Sequence, residues 1–174
     1  MKLSILFLVV LLAAAGSAAP KSMPERGRLE KEVRHELVML PFYGVFDNFA
    51  FKVEGDKITL LGQVTRPSLK RDAEAVVKQI EGVGSLDNRI EVLPPSPNDD
   101  RIRLAAYRAI YGHSALNRYA LMAVPSIHLV VKNGDITLEG AVATEFDKNI
   151  ANTQANSVPG VFSVTNNLRV DEGR

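Results

Sequence analysis

The sequence contains no cysteine and no tryptophan, and only 3 of its 174 residues are histidine. Without cysteine the chain can form neither disulfides nor thiolate metal sites, and it has no cysteine for lipid attachment. His35, His113 and His128 are far apart, and none has a partner at metal-ligand spacing. We therefore predict no metal and no cofactor, and we expect each folded unit to depend on its own hydrophobic core.

An excess of charge of either sign is also missing. Residues 20–93 contain 12 Lys and Arg against 12 Asp and Glu, and residues 94–174 contain 8 against 8. The formal net charge of +1 comes from Lys2 alone. Because nucleic-acid-binding proteins normally use a basic excess to displace counterions from phosphates, this balance argues against DNA or RNA as a partner.

The longest hydrophobic run, residues 3–12, lies between Lys2 and a stretch of small residues at 16–18. A basic start, an apolar run and a small-residue cleavage region are typical of a secretory signal peptide. The run is shorter than the roughly 20 residues that span a bilayer as a helix. We expect residues 1–18 to be removed and the product to be exported to the periplasm or the medium.

One segment of twelve residues occurs twice, as VEGDKITLLGQV at 53–64 and as VKNGDITLEGAV at 131–142. An ungapped alignment of residues 49–92 with residues 127–170 gives 13 identities in 44 positions. The sequence between the copies, LPPSPNDD, contains three prolines, which disfavour regular structure. We predict a first domain over 25–93, a proline-rich linker over 94–98 and a second domain over 99–171.

Each copy begins with a predicted hairpin, because apolar and polar residues alternate on both sides of a two-residue turn. Asn133 and Gly134 form the pair favoured in a type I′ turn, and Gly55 followed by Asp56 suits a type II′ turn. Different residues thus serve the same turn in the two copies, which supports a shared fold.

Each hairpin is flanked by predicted helices and followed by a third strand. Apolar residues at helical spacing predict one helix before each hairpin and, in the first copy, a second helix over 67–81 that ends at Gly82, with Gly160 at the equivalent place. The third strands are predicted over 88–92 and 166–170. We expect each to run parallel to the strand before it, although a second topology fits the pattern equally well.

Gly62 and Gly140 fall on the inward face of their strands, where a core side chain is the usual occupant. Glycine in a strand often marks a close approach of another backbone, and we expect that backbone to belong to a covering helix. The change Gly140→Leu is then predicted to overpack the core and to lower the free energy of unfolding by about 1 to 3 kcal/mol.

These features together resemble the BON domain family, and the order of a signal peptide and two such units resembles the periplasmic double-BON proteins. The resemblance implies an α+β fold of two tandem αββαβ domains, each with a three-stranded mixed sheet covered on one face by two helices. It also implies a non-enzymatic role in the envelope or in osmotic stress, with phospholipid or envelope proteins as partners. The residues that carry it are Ile58, Leu60, Gly62, Val64, Gly82, Val83, Asn88, Gly134, Ile136, Leu138, Gly140, Val142, Gly160, Val161 and Asn166.

One helical segment, RIRLAAYRAIY at 101–111, predicts a candidate lipid-binding face. Steps of 100° per residue place Ile102 and its apolar neighbours on one side and a basic, aromatic set on the other. Arginine can hold lipid phosphates and tyrosine suits a membrane interface, so we predict peripheral contact with an anionic phospholipid surface. A second interpretation packs Leu104, Tyr107 and Tyr111 against the first domain or against the loop at 116–124 and leaves the arginines in solvent. The candidate set is Arg101, Leu104, Tyr107, Arg108 and Tyr111.

The remaining candidates for chemistry have simpler structural interpretations. Asp99 and Asp100 follow the proline-rich stretch and are predicted to cap the next helix. His128 lies between two apolar strand residues and is predicted to face solvent on the outer side of the sheet. No nucleophile has a predicted base beside it, so the sequence predicts a binding protein and not an enzyme.

A rival hypothesis keeps the binding role but changes the partner to an envelope protein, as in an interaction or chaperone-like module. The surface predicted for that role is the uncovered face of the two sheets. Its residues are Ala50, Leu61, His128, Val130 and Ala141.

Overall fold

The structure is a computed structural model that describes residues 23–122 and 124–171. The predicted signal peptide, residues 1–18, lies outside the described residues. Within them, two α+β units follow one another along the chain and each has its own sheet. The predicted fold class is confirmed.

The first unit has a central strand with one neighbour on each side. The β1–β2 hairpin is antiparallel, and β3 and β4 both pair parallel with β2 as two parts of one edge strand. The sheet is therefore mixed and has three strand positions, and α1 and α2 pack on one face of it. The elements are α1 (Met23–Val38), β1 (Asn48–Glu54), β2 (Lys57–Val64), α2 (Pro67–Lys78), β3 (Ser85–Asn88) and β4 (Glu91–Val92).

The second unit repeats this arrangement. Its β5–β6 hairpin is antiparallel, and β7 and β8 pair parallel with β6. The parallel third strand was the expected one of the two topologies that the sequence allowed. The elements are α3 (Pro97–Tyr111), a 3-10 helix (Asn117–Ala120), β5 (Ile127–Lys132), β6 (Asp135–Val142), α4 (Glu145–Asn156), β7 (Ser163–Asn166) and β8 (Arg169–Val170).

The two central strands bury the same positions. Along β2 and β6 the order of exposed, half-buried and buried residues is identical, and each core is completed by the apolar side of two helices. Removing this apolar surface from water stabilises each unit by about 25 cal/mol per Å². The buried residues of the two strands are Ile58, Leu60 and Val64, and Ile136, Leu138 and Val142.

The hairpin turns have the backbone that their residues require. Asn133 and Gly134 have φ values of 54° and 86°, and a type I′ turn needs positive φ at both positions. Gly55 has a φ of 64°, and Asp56 after it does not have a positive φ, as in a type II′ turn. Both hairpins therefore close with two residues by different routes.

The third strand begins three residues earlier than predicted, at Ser85, and is interrupted after Asn88. The Asn88 side chain occupies the interruption: its Nδ2 donates to the Lys70 carbonyl at 2.9 Å, and its Oδ1 accepts from the Ile90 amide at 3.2 Å. Asn166 makes the equivalent two bonds in the second unit. These asparagines therefore join the broken edge strand to the helix that covers it.

The second helix of the first unit is shorter than predicted. It ends at Lys78, and residues 79–82 form a turn in which Gly82 has a φ of 95°. Gly160 follows α4 with a φ of 86°. The glycine lies at the end of that turn and not directly after the helix.

The backbone that approaches Gly62 and Gly140 belongs to a neighbouring strand segment and not to a helix, which corrects the prediction. A Cβ on Gly62 would lie 2.1 Å from the Asn48 carbonyl oxygen, and a Cβ on Gly140 would lie 2.0 Å from that of Ser126. Both glycines also have φ near 110°, which side chains disfavour. The two positions thus require glycine for two reasons at once.

Candidate functional site

Helix α3 carries the predicted lipid-binding face, and it begins within the predicted linker. Ser96 is its N-cap, with the hydroxyl accepting from the Asp99 amide at 3.2 Å, and Pro97 occupies the first turn. The helix therefore includes two residues of the segment 94–98. Its inner side buries Ile102, with Ala106 and Ile110 in the same core cluster.

Three of the five candidate residues form an exposed stripe along α3. Arg101, Leu104 and Arg108 are spaced at i, i+3 and i+7, so they lie on one side of the helix. The Leu104 side chain is 51% exposed between the two exposed arginines. Arg101 donates to the Asn98 side chain at 2.6 Å, and within the described residues neither arginine is paired with a carboxylate.

The two tyrosines of the candidate set face the protein more than predicted. Tyr107 is 37% exposed, and its ring meets Phe46 of the first unit edge-on at 6.3 Å between centroids. Tyr111 is only 6% exposed, and its hydroxyl donates to the Ile127 carbonyl. Burial raises the pKa of that hydroxyl. Tyr111 is therefore a structural residue here, which corrects its assignment to the exposed side.

A buried arginine on the same helix was missed by the sequence analysis. Arg103 is directed inward, where one guanidinium nitrogen donates to Asp100 at 2.5 Å and another to the Val131 carbonyl at 2.7 Å. The regular 100° spacing gives no sign that an arginine will be buried. Its partner is a backbone carbonyl on the outer edge of β5, and no sequence pattern marks that group.

Asp99 is buried and does not act as the predicted helix cap. Its two carboxylate oxygens accept hydrogen bonds from the amides of Asn133 and Gly134, at 3.0 and 2.9 Å. Ser96 provides the cap instead. The carboxylate therefore fixes the turn of the second hairpin to the start of α3.

His128 is buried at a joint between the two units, although it was predicted to face solvent. Its ring stacks on Tyr43, its Nε2 lies 3.3 Å from the Tyr43 hydroxyl, and its Nδ1 lies 3.3 Å from the Gly44 carbonyl. Because a carbonyl only accepts, the neutral ring that carries its proton on Nδ1 satisfies both contacts. Burial lowers the pKa of His128, and it raises the pKa of Tyr43 to about 12.

The loop before β1 completes this joint. The Leu129 amide on β5 donates to the Val45 carbonyl at 2.7 Å, and Val45 and Phe46 pack against the core of the second unit. A Lys132–Glu91 ion pair at 2.6 Å adds a contact at the surface. The outer sheet face predicted to be open is consequently covered at His128 and Val130, and only Ala50 of that set is exposed.

A groove of about 680 Å³ runs along β1. One wall is α1, with Arg34, Leu37 and Val38, and the opposite wall is the outer face of the second sheet, with Glu139 and Arg169. Strand β1 lies between these walls. The groove therefore lies beside an edge strand, and the second unit forms its far side.

The described part of the chain contains no candidate metal site. Residues 23–122 and 124–171 contain no group of three or more His, Asp or Glu side chains that could hold a metal ion. The acidic residue Asp147 is buried, and its carboxylate accepts hydrogen bonds from Thr144, Tyr119 and Arg118. Burial raises the pKa of Asp147, but these partners together lower it by more, so the net shift is downward. Asp147 therefore has a structural role in the start of α4.

Comparison with known proteins identifies the family. The sequence model of the BON domain matches residues 27–94 and 113–172, which together exceed half of the chain. The chain belongs to the BON domain family and contains two such domains in tandem. Members of the family are generally non-enzymatic, and membership indicates a periplasmic or envelope-associated protein.

Among solved structures, two from Chlamydia trachomatis are similar to this chain. One is described as CdsD, a structural protein of the type III secretion system: it is 15% identical, the match covers 83% of this chain and 92% of that chain, and the TM-score is 0.30. The other is the C-terminal domain of CdsD, 14% identical, with 82% and 97% covered and a TM-score of 0.30. No curated protein matches the chain.

None of the helices in the described ranges is long and apolar enough to cross a bilayer. The BON family is associated with membranes and phospholipid.

Proposed function

We propose that this protein binds the surface of anionic phospholipid membranes through the stripe of Arg101, Leu104 and Arg108 on α3. The observation that carries the proposal is the pair of exposed arginines on either side of an exposed leucine, with no carboxylate paired to them in the described residues. Each guanidinium can donate two hydrogen bonds to a lipid phosphate. A basic group near an anionic surface contributes about 1 kcal/mol, so two of them and one leucine give weak, reversible binding.

Tyr107 extends this stripe at its side. The ring is held against Phe46, which fixes its position, while part of its surface remains exposed. An amphipathic ring at the level of the headgroups favours the membrane interface. The proposed contact is therefore formed by four of the five residues predicted from the sequence, without Tyr111.

The first domain is a poor surface for the same lipid. On α1, Arg26 pairs with Glu30 at 3.0 Å, and Arg28 pairs with Glu32 at 2.6 Å. These ion pairs neutralise two of the cations on α1 that anionic lipid would attract. The proposal assigns membrane contact to the second domain, and the joint at His128 holds the first domain beside it.

The biological role that we propose is support of the cell envelope, including its response to osmotic stress. The protein would act by binding and not by catalysis. Membership of the BON family supports this role.

Liposome flotation tests the proposal. The full-length mature protein should float with vesicles that contain about 30% phosphatidylglycerol and not with vesicles of phosphatidylcholine alone, because the arginines need anionic headgroups. Arg101→Glu combined with Arg108→Glu should reduce flotation at least about tenfold. Both side chains are exposed, so the variant should fold normally.

A matched control separates the site from overall charge. Lys31→Glu combined with Arg71→Glu changes the net charge by the same amount at exposed positions on α1 and α2. This control should float like the parent protein. Equal loss of flotation in both double variants would show a bulk charge effect and would contradict the site, and equal flotation of all three proteins would contradict membrane binding by α3.

A further inference from the structure

Strands β1 and β5 are both edge strands. In the described residues, other parts of the chain bind the outward backbone groups of β5 but leave part of the β1 edge uncovered. An edge strand has backbone groups that point away from the sheet, and proteins normally cover or pair them. In each hairpin the two residues that flank the turn form a hydrogen-bonded pair, and along the strands such pairs alternate with non-hydrogen-bonded pairs. The N–H and C=O groups that point away from the sheet therefore belong to the residues of the non-hydrogen-bonded pairs. They are the groups of Phe49, Phe51 and Val53 on β1, and of Ile127, Leu129 and Val131 on β5.

On β5 the chain itself occupies the edge at three successive outward positions. The Tyr111 hydroxyl donates to the Ile127 carbonyl, the Leu129 amide donates to Val45, and Arg103 donates to the Val131 carbonyl. These partners come from α3 and from the loop of the first domain. No further strand can add to β5 without displacing them.

On β1, two of the three equivalent positions remain open in the described part of the chain. At the third position, the Phe49 amide interacts with the Tyr43 hydroxyl: burial raises the pKa of that hydroxyl, and the amide lowers it by less. Within residues 23–122 and 124–171, no hydrogen bond from outside the hairpin reaches the backbone of Phe51 or Val53. The open edge also lies along the groove of about 680 Å³, so there is room beside it for another segment of chain.

We propose that the edge of β1 binds an extended peptide segment of another envelope protein as an added strand. Addition of a strand derives affinity from main-chain hydrogen bonds and specificity from alternate side chains. Side chains on one face of such a strand would meet the apolar residues Leu37, Val38 and Phe51 on the α1 side. Those on the other face would meet the outer side of the second sheet.

The charge of the α1 wall selects an acidic residue in that peptide. Arg34 lies over the Phe51 ring at 5.7 Å and, in the described residues, has no carboxylate partner. The other two charged residues of this wall, Arg26 and Glu30, neutralise each other. The wall therefore has a net charge of +1, and the segment that fits is apolar with one carboxylate on the same face, opposite Arg34.

This inference differs from membrane binding in both place and partner, because the groove does not include the α3 stripe. It also assigns the protein-interaction role to a different surface from the one predicted from the sequence. The sheet faces predicted for that role are partly covered by the joint, whereas the open edge is the free hydrogen-bonding surface.

The test uses the mature protein and synthetic peptides of seven residues, the length of β1. One peptide alternates valine and threonine with a central valine replaced by glutamate, and its twin has lysine at that position. By nuclear magnetic resonance titration, the glutamate peptide should shift the amides of Phe51 and Val53 and slow their hydrogen exchange. The lysine peptide should bind at least about tenfold more weakly, and Arg34→Glu should reverse this preference.

Backbone methylation provides a control inside the peptide. Methyl groups on the alternate nitrogens that face β1 should abolish binding, and methyl groups on the other nitrogens should leave it within about threefold. The Arg101→Glu and Arg108→Glu variant should bind the peptide like the parent. The proposal is overturned if both methylated peptides bind equally, if the shifts fall on β5, or if sedimentation shows a dimer in which the Phe51 and Val53 amides already exchange slowly without peptide.

Discussion

The two domains share a core and differ at their edges. Strands β2 and β6 have the same order of buried and exposed residues, and both glycines, Gly62 and Gly140, meet a carbonyl of the adjacent strand segment. The edge of β5 is occupied by α3 and by the first domain, whereas among the described residues the edge of β1 is open at two positions. A repeated sequence therefore specifies the interior of the fold, while the surroundings of each copy decide what its edge strand can bind.

A backbone amide after the central strand shows the same contrast. The Thr65 amide donates to the Asp47 carboxylate at 2.6 Å, and the equivalent Ala143 amide donates to the Tyr119 hydroxyl at 2.8 Å. Both acceptors come from the segment between the first helix and the hairpin. Because a backbone amide at the end of a strand needs a hydrogen-bond partner, each loop supplies one with whatever residue lies within reach.

The largest expected effect tests the shared interior. Gly140→Leu should destabilise the second domain by about 2 to 6 kcal/mol, because backbone strain at φ near 110° and a clash with the Ser126 carbonyl each cost about 1 to 3 kcal/mol. Gly62→Leu should cost the first domain a similar amount. Urea unfolding of each variant measures the two free energies of unfolding.

Gly27→Ala is the control for these variants. Gly27 lies in α1 without a positive φ, and no atom lies within 4 Å of an added Cβ. Its replacement should leave the free energy of unfolding unchanged or raise it by up to about 1 kcal/mol. A Gly140→Leu protein as stable as the parent would show that the two strands do not share this constraint.

The sequence predicted the features that depend on one short segment. The turn types at Gly55 and Asn133 and the buried faces of the helices follow from local periodicity or from one backbone conformation. Such signals are contained within a few residues, so a single chain is enough to read them.

The features that the sequence did not predict involve two surfaces that meet only in the folded chain. His128 alternates correctly for an outer-face residue, but the first domain covers that face. A helical wheel places Tyr111 on the exposed side and Arg103 at the boundary between the two sides, but both side chains turn inward to carbonyls of β5. Periodicity describes one face of one element and contains no information about a second partner.

A smaller effect tests the sealed edge of β5. Tyr111→Phe removes only the hydroxyl and leaves the Ile127 carbonyl without its partner, which should lower the free energy of unfolding by about 1 to 3 kcal/mol. Tyr107→Phe on the same helix is the matched control. The Tyr107 hydroxyl makes no hydrogen bond within the described residues, so its loss should change stability by less than about 0.5 kcal/mol. Equal effects of the two changes would show that the Tyr111 hydroxyl does not seal the edge.

The smallest effect concerns the joint that separates the two edges. Burial lowers the pKa of His128, although hydrogen bonds to backbone groups and the charges of Asp47 and Glu139 favour its protonated form. Above about pH 6.5 the ring is neutral in both the folded and the unfolded chain, so its contribution to stability is fully present. As the pH falls below that value, the unfolded chain binds a proton that the folded chain does not, and the contribution is lost progressively. The free energy of unfolding should therefore fall between about pH 7.5 and about pH 5.5 more in the parent than in His128→Gln, whose side chain does not titrate. Identical falls in both proteins would show that His128 is not buried in a neutral form between the domains.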